Sequence, residues 1–337
     1  MKIILDGMGG DNAPAAILQG AAQAVTELGV QILAVGDQKA IYASAAEHGI
    51  SMEGIEVLQA SEVIEMCEEP AKAVRTKKDS SMVVGLRALA EGKGDAFVSA
   101  GSTGALHVGA SLIVRTVKGV KRPALASIIP GGQKPYLLMD CGANVECRPQ
   151  MLNAFGVMGS VYMNKVMAVE KPSVALVNNG AEESKGTPLY REAHQLLKQN
   201  SAISFAGNIE PRDVPTGAAD VVVCDGFTGN VILKLTEGLA KTLVGQLKPV
   251  FTRNLLSKLA FLAIKDGMKE FKQKMDADEY GGAPLLGTAK PVIKAHGSSN
   301  AKAIKNAIRQ AQKCVEMDLC GIMQENLAVL DTATKEE

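Results

Sequence analysis

Short, largely apolar runs alternate along this chain with longer stretches in which apolar residues recur every three or four positions. Ile3-Ile4-Leu5, residues 30–35, residues 95–99, Tyr136 to Met139, Ser173 to Val177, the opening of residues 204–213, Val221 to Val223 and Val292-Ile293 are runs of the first kind. They suit strands buried on both faces, as in a mostly parallel sheet. Helical periods follow them over residues 15–28, 231–247 and 301–325 and at the end of the segment 60–90, with helix starts near Thr103 and Pro188. Strand, glycine-bearing loop, helix is thus the repeating unit, and it predicts an α/β fold. The unit around which the rest is arranged is Ala219 to Lys234, where a Val run turns through Cys224-Asp225-Gly226-Phe227-Thr228-Gly229-Asn230 into a helix.

Length and composition narrow the class. The 337 residues are enough for one large α/β unit, read here as a single two-lobed body over 1–330 with a polar tail at 331–337. Lys and Arg number 36, as do Asp and Glu, so global charge gives no argument for nucleic acid and any anion must meet a local patch. With 47% hydrophobic residues, no Trp and 4% aromatics, the core is aliphatic. The 6 cysteines form no C-x-x-C pair, which reads as reduced thiols in a cytosolic protein, with no disulfide framework and no metal site. The chain opens directly into a strand, and no apolar run approaches the roughly 20 residues of a membrane-spanning helix. The expectation is a cytoplasmic protein, at most peripheral at the inner face of a membrane.

Candidate chemistry sits in the loops. Gly7, Gly9 and Gly10 precede Asn12, which stands where a dinucleotide fingerprint has its third glycine; no nicotinamide, flavin or other cofactor is expected. Asp11 or Asn12 is expected to cap the first helix, and Ser61 to cap another. The Arg75, Lys77, Lys78 cluster with Ser80 and Ser81 can receive a phosphate or an acidic partner. Small residues at Gly101, Ser102, Thr103 and Gly104 offer donors without bulk. Lys185, between a strand and a helix, can reach over a cleft as a point charge. Asp6, Asp140 and Asp225 each end a strand and are expected to line one crevice, mostly pinning loops through backbone N–H groups. His296 ends a strand in a polar loop, whereas His107 reads as structural. At 247–275, Phe251, Leu255, Leu259 and Leu262 recur at helical spacing against Arg253, Lys258, Lys265, Lys269, Lys272 and Lys274, a basic amphipathic protrusion able to lie on a membrane, on a second subunit or on the core.

Several of these motifs, in order, resemble one family from the first strand to about residue 325. They are Asp6-x-Met8-Gly9-Gly10-Asp11-x-Ala13-Pro14, Ser99-Ala100-Gly101-x-Thr103-Gly104-Ala105, Gly142-Ala143-Asn144, Lys185-Gly186, Asp225-Gly226-Phe227-Thr228-Gly229-Asn230-Val231 and Tyr280-Gly281-Gly282-Ala283 through His296-Gly297-Ser298. Together they look like PlsX, the bacterial phosphate acyltransferases. The resemblance implies a three-layer α/β/α fold similar to isocitrate dehydrogenases and phosphotransacetylases. It implies transfer of a fatty acyl group from acyl carrier protein to inorganic phosphate, giving an acyl phosphate for phospholipid synthesis. A homodimer, peripheral membrane contact and a downstream glycerol-3-phosphate acyltransferase come with it.

The residues fit such chemistry. Phosphate is already a nucleophile near neutral pH, and a thiol of pKa about 8.5 leaves without a strong acid. No Ser-His-Asp set or covalent cysteine is needed; what is needed is cancellation of charge. Lys185 and Asn230 are expected to hold the phosphate and the oxyanion, with His296 handling protons. Gly9, Gly10, Asp11, Ser102, Thr103, Gly104, Asn144, Asp225, Thr228 and Gly229 are expected to line the substrate site. An acidic carrier protein is expected to dock on Arg75, Lys77, Lys78, Lys121 or Arg122. Two other readings stay open on the residues alone: a phosphotransacetylase-like enzyme using acyl-CoA, and a non-catalytic membrane-surface scaffold.

Overall fold

The computed structural model describes residues 1–132, 134–274 and 281–333. Tyr280 of the quoted motif, residue 275 of the basic stretch and residues 334–337 of the tail lie outside the described residues. The first half runs β1 (Lys2–Asp6), α1 (Ala15–Leu28), β2 (Gln31–Gly36), α2 (Gln38–Glu47), β3 (Ile55–Gln59), α3 (Pro70–Thr76), α4 (Ser81–Ala90), β4 (Ala96–Ser99) and α5 (Thr103–Gly109). Then come β5 (Ala124–Ile129), β6 (Tyr136–Met139), α6 (Pro149–Lys165), β7 (Ser173–Val177), α7 (Pro188–Gln199), β8 (Ser204–Ile209) and β9 (Val221–Val223). The chain continues with α8 (Gly226–Thr252), α9 (Leu255–Lys274), β10 (Ala283–Leu286), β11 (Val292–Lys294), α10 (Ala301–Glu316) and α11 (Leu319–Ala333).

All the strands join one 11-stranded sheet in the order β3-β2-β1-β4-β11-β10-β5-β6-β9-β7-β8. Because successive side chains of a strand point to opposite faces, each strand feeds two cores. Ile3 and Leu5 pack with α1, α6, α7, α10 and α11, while Ile4 packs with α3, α4 and α5 on the other side. The result is the three-layer α/β/α arrangement expected, mostly parallel.

One topological feature was not anticipated. β11 runs parallel to β4, but β10 is antiparallel to both β11 and β5, and β5 is antiparallel to β6. Three successive reversals leave β6, β9, β7 and β8 running opposite to β1–β4. Asp6 therefore leaves the sheet at the end opposite to Asp140 and Asp225, and the three aspartates do not share a single edge.

Smaller expectations also need correcting. α1 has no side-chain cap, and Asn12 instead donates to the Ser298 and Ser299 carbonyls. Ser61 caps no helix but binds Asp79, while Glu69 and Ser80 cap α3 and α4. The helix expected at 231–247 begins five residues earlier, at Gly226, because the Asp225 carboxylate accepts the Thr228 N–H and nucleates it. The 301–325 helix is interrupted, since Asp318 adopts a positive φ of 44° between α10 and α11.

Candidate active site

Two clusters of loops face each other across β5 and β10. In the first, Asp6 accepts the Met8 N–H and the Ser99 hydroxyl, tying the β1 loop to β4. Gly9 lies so close that a Cβ there would sit 2.5 Å from the Asp6 carboxylate, and the Asp11 N–H donates to the Gly297 carbonyl at 2.8 Å. The loops carrying Gly9, Gly10, Asp11, Ser102, Thr103, Gly104 and His296 are thereby laced together. Within them, the Ser102 hydroxyl accepts the Ala105 N–H, and Gly104 is small because Pro70 presses on it.

In the second cluster the Asp140 carboxylate accepts the N–H groups of Leu125, Gly142, Ala143 and Asn144 and the Asn144 amide. This is the loop-pinning role foreseen for these aspartates. Asn144 was expected in the phosphate cradle, but both its amide hydrogens are taken, one by Asp140 and one by the Pro123 carbonyl. Asp225 is likewise committed: besides capping α8 it accepts the Tyr190 hydroxyl at 2.6 Å and the Thr228 hydroxyl at 3.1 Å. A Cβ on Gly229 would fall 1.8 Å from the Asp140 carbonyl, so this glycine lets α8 press onto the 140–144 loop.

Between the clusters lies a cavity of about 350 Å³ under the first four turns of α8. Its lining is mixed: Ile128, Ile129, Pro130, Leu233 and Ala240 are apolar, while Thr103, Asn230, Lys234, Glu237, Lys294 and His296 are polar or charged. Of the expected site residues, the cavity thus collects Thr103, Asn230 and His296. Lys185 does not line it. Its exposed side chain stands in the loop after β7, which lies beside β9 and runs parallel to it, so Lys185 and Asn230 leave the sheet at the same end. A larger cleft of about 580 Å³ opens at the amino ends of β7 and β8, beside Lys165, Lys171 and Glu325, and holds none of the expected residues.

The fatty acid synthesis protein family model matches residues 1–322. A phosphate acyltransferase of Alkaliphilus oremlandii is 48% identical over 330 residues, 98% of each chain, and one of Clostridium acetobutylicum is 47% identical over 94% of this chain and 96% of its own. The chain belongs to the phosphate acyltransferase family. It is an enzyme, a transferase. Among solved structures it is similar to the EutD phosphotransacetylase of Staphylococcus aureus, with a TM-score of 0.62 at 20% identity over 93% of this chain and 94% of that one. A branched-chain phosphotransacylase of Enterococcus faecalis follows with a TM-score of 0.58 at 16% identity, covering 94% of this chain and 99% of that one. These likenesses show the fold.

For a phosphate acyltransferase, the thiols near the cavity raise the question of a covalent acyl-enzyme. Cys141 lines the cavity, but burial pushes its thiol up to about 12, and burial pushes Cys147 up to about 12 as well. Neither supplies a thiolate at neutral pH. Among the described residues no group of three or more His, Cys, Asp or Glu side chains is placed to hold a metal ion.

Two lysines of the cavity escaped the sequence reading. Lys234 is paired with Glu237 at 2.8 Å, one turn along α8. Lys294 is the last residue of β11 and is only 7% exposed. The signal for it was a lysine directly after an apolar strand run, which reads as an ordinary surface residue until the strand is placed between two others. On the surface, Lys77 is paired with Glu68, whereas Arg75, Lys78, Lys121 and Arg122 are exposed and form no ion pair among the described residues. Leu255, Leu259 and Leu262 stand 54–74% exposed on α9, and Phe251 packs on Phe261 with ring centroids 5.2 Å apart. No described helix is long and apolar enough to cross a membrane.

Proposed function

We propose that the enzyme moves a fatty acyl group from acyl carrier protein to inorganic phosphate, giving an acyl phosphate that a glycerol-3-phosphate acyltransferase consumes on the way to phosphatidic acid. The observation that carries this reading is the cavity's mixed lining, apolar at Ile128, Ile129, Pro130, Leu233 and Ala240 and donor-bearing at Thr103, Asn230, Lys234, Lys294 and His296. The first set suits an acyl chain and the second an anion.

A phosphate oxygen attacks the thioester carbonyl carbon, forming a C–O bond and a tetrahedral oxyanion. The C–S bond then breaks, and the proton carried by hydrogen phosphate ends on the departing sulfur. His296, at the polar rim, is the group assigned to carry that proton. Asn230 donates to the charge that develops, and Lys185 reaches in from the β7 loop as a second point charge. Gly9, Gly10, Ser102, Thr103, Gly104, Thr228 and Gly229 shape the walls by close packing as much as by donating to substrate. The raised thiol pKa values at Cys141 and Cys147 favour direct attack over a covalent intermediate.

The acidic carrier docks on the displayed Arg75, Lys78, Lys121 and Arg122. Phe251, Leu255, Leu259 and Leu262, with Lys258, Lys265 and Lys269 around them, give the enzyme a surface for a lipid interface, and α8 offers a face to a second copy. Palmitoyl-acyl carrier protein mixed with the enzyme should release free thiol only when phosphate is present. Thiol release without phosphate would overturn direct transfer. Release from palmitoyl-CoA but not from the carrier would replace the donor by the one that the phosphotransacetylase-like fold favours.

A further inference from the structure

Lys294 is a buried cation with no ion-pair partner among the described residues. Its Nζ donates to the Ala100 carbonyl at 3.3 Å and to the Ala295 carbonyl. An ammonium has three donors, so one remains. No carboxylate among the described residues lies within ion-pair distance of it, whereas the other cavity lysine, Lys234, is neutralised by Glu237. β11 lies beside β4 with Lys294 opposite Ser99, which brings the ammonium over the start of the Gly101–Gly104 loop. Thr103, Asn230 and His296 line the same cavity.

A buried charge is tolerated only when something pairs with it. We propose that Lys294 is the binding residue that receives the substrate phosphate, the phosphate being the counter-ion this cavity is built to accept. The assignment rests on the acyl-transfer reading above and divides its labour: Lys294 and Thr103 hold the phosphate from the β11 side, while Asn230 and Lys185 serve the carbonyl oxygen from the other.

The charge environment of the empty cavity agrees. Burial lowers the Lys294 ammonium to about 8; the Asp6 carboxylate opposes this, Lys234 adds to it and Asp11 opposes it. Asp6 faces it from β1, Asp11 from the loop after β1, Lys234 and Glu237 from α8, and His296 from the loop after β11. A phosphate dianion bound against Lys294 favours the charged form. Phosphate binding should therefore draw a proton onto the protein when the pH lies above about 8.

The test is calorimetric titration of the full chain with inorganic phosphate between pH 7.5 and 9.5, where free phosphate is already mostly the dianion. Wild-type affinity should fall as the pH rises through about 8, approaching tenfold per unit. Lys294→Arg should bind with little pH dependence, and Lys294→Met should bind at least about tenfold more weakly at pH 7.5, the loss expected for a charged hydrogen bond. Without any variant, titrations at pH 8.5 in buffers of different ionisation enthalpy should show proton uptake by the wild type, persisting in His296→Gln. Unchanged phosphate affinity in Lys294→Met, or no proton uptake by the wild type, overturns the assignment. If phosphate-dependent thiol release survives while either result holds, Lys294 alone is removed; if thiol release needs no phosphate, the acyl-transfer reading falls by itself.

Discussion

Replacing Lys294 by Met keeps the length of the side chain and removes its charge, and the consequence for stability can be worked out with its sign. The ammonium titrates near 8 in the folded chain against a reference value of 10.5. Between those values the unfolded chain binds more protons than the folded one, so wild-type stability rises with pH across this window and is lowest below it. The 2.5-unit difference corresponds to a penalty of about 3 kcal/mol at neutral pH. Methionine escapes that penalty but leaves the Ala100 and Ala295 carbonyls without their partner, at about 1 kcal/mol each. Lys294→Met should therefore be about 1 kcal/mol more stable than wild type at pH 7, and the two stability curves should cross near pH ~9. Denaturant unfolding followed by far-UV circular dichroism, at half-unit steps from pH 7 to 10, measures this without tryptophan, which the chain lacks. Curves that stay parallel over that range would refute the burial of an uncompensated charge. A gain in stability on losing a charged side chain is what a residue retained for binding predicts.

Three further outcomes are expected. Lys185→Ala should lower acyl-phosphate formation by at least about 100-fold while leaving the melting temperature unchanged, since the side chain is exposed; near-wild-type turnover would take Lys185 out of the mechanism. Gly229→Ala should destabilise the fold by about 1–3 kcal/mol and depress turnover together, because the added carbon meets the Asp140 carbonyl and must lift α8 and Asn230 off the 140–144 loop; a crystal structure of the variant with that loop unmoved would contradict it. The KM for the acyl carrier should rise as salt is raised from low to about 0.5 M, and a KM indifferent to salt would argue against docking on Arg75, Lys78, Lys121 and Arg122.

The strands were legible because a strand buried on both faces is apolar throughout, and Val221–Val223 needs no wider context to be recognised. Pro188 at the first turn of α7 and the glycine turns after β1, β4 and β9 were legible for the same local reason. Strand direction was not. The reversals at β10, β5 and β6 depend on pairings between residues far apart in sequence, such as Leu285 with Leu125, and no local pattern records them. Hence the three aspartates end strands that run in opposite directions, although loops after β4, β11 and β6 line one cavity. Glycines were misread in a second way: a loop glycine next to a ligand and one next to another loop look the same in sequence, and Gly9, Gly104 and Gly229 prove to be crowded by Asp6, Pro70 and Asp140. Lys294 was overlooked because burial is a tertiary property that its neighbours in sequence do not announce.

The helix whose opening turns roof the cavity does not stop there. α8 runs on for 27 residues, about 40 Å, and hands over to the apolar tip formed with α9. It is therefore a lever with its fulcrum where Gly229 bears on Asp140, a short arm carrying Asn230 and Lys234, and a long arm in solvent. On the proposed reading, in which the tip meets a lipid surface and Asn230 serves the reaction, a partner gripping the far end would also bear on the reacting groups, and by reciprocity a filled cavity would change how firmly that end is held.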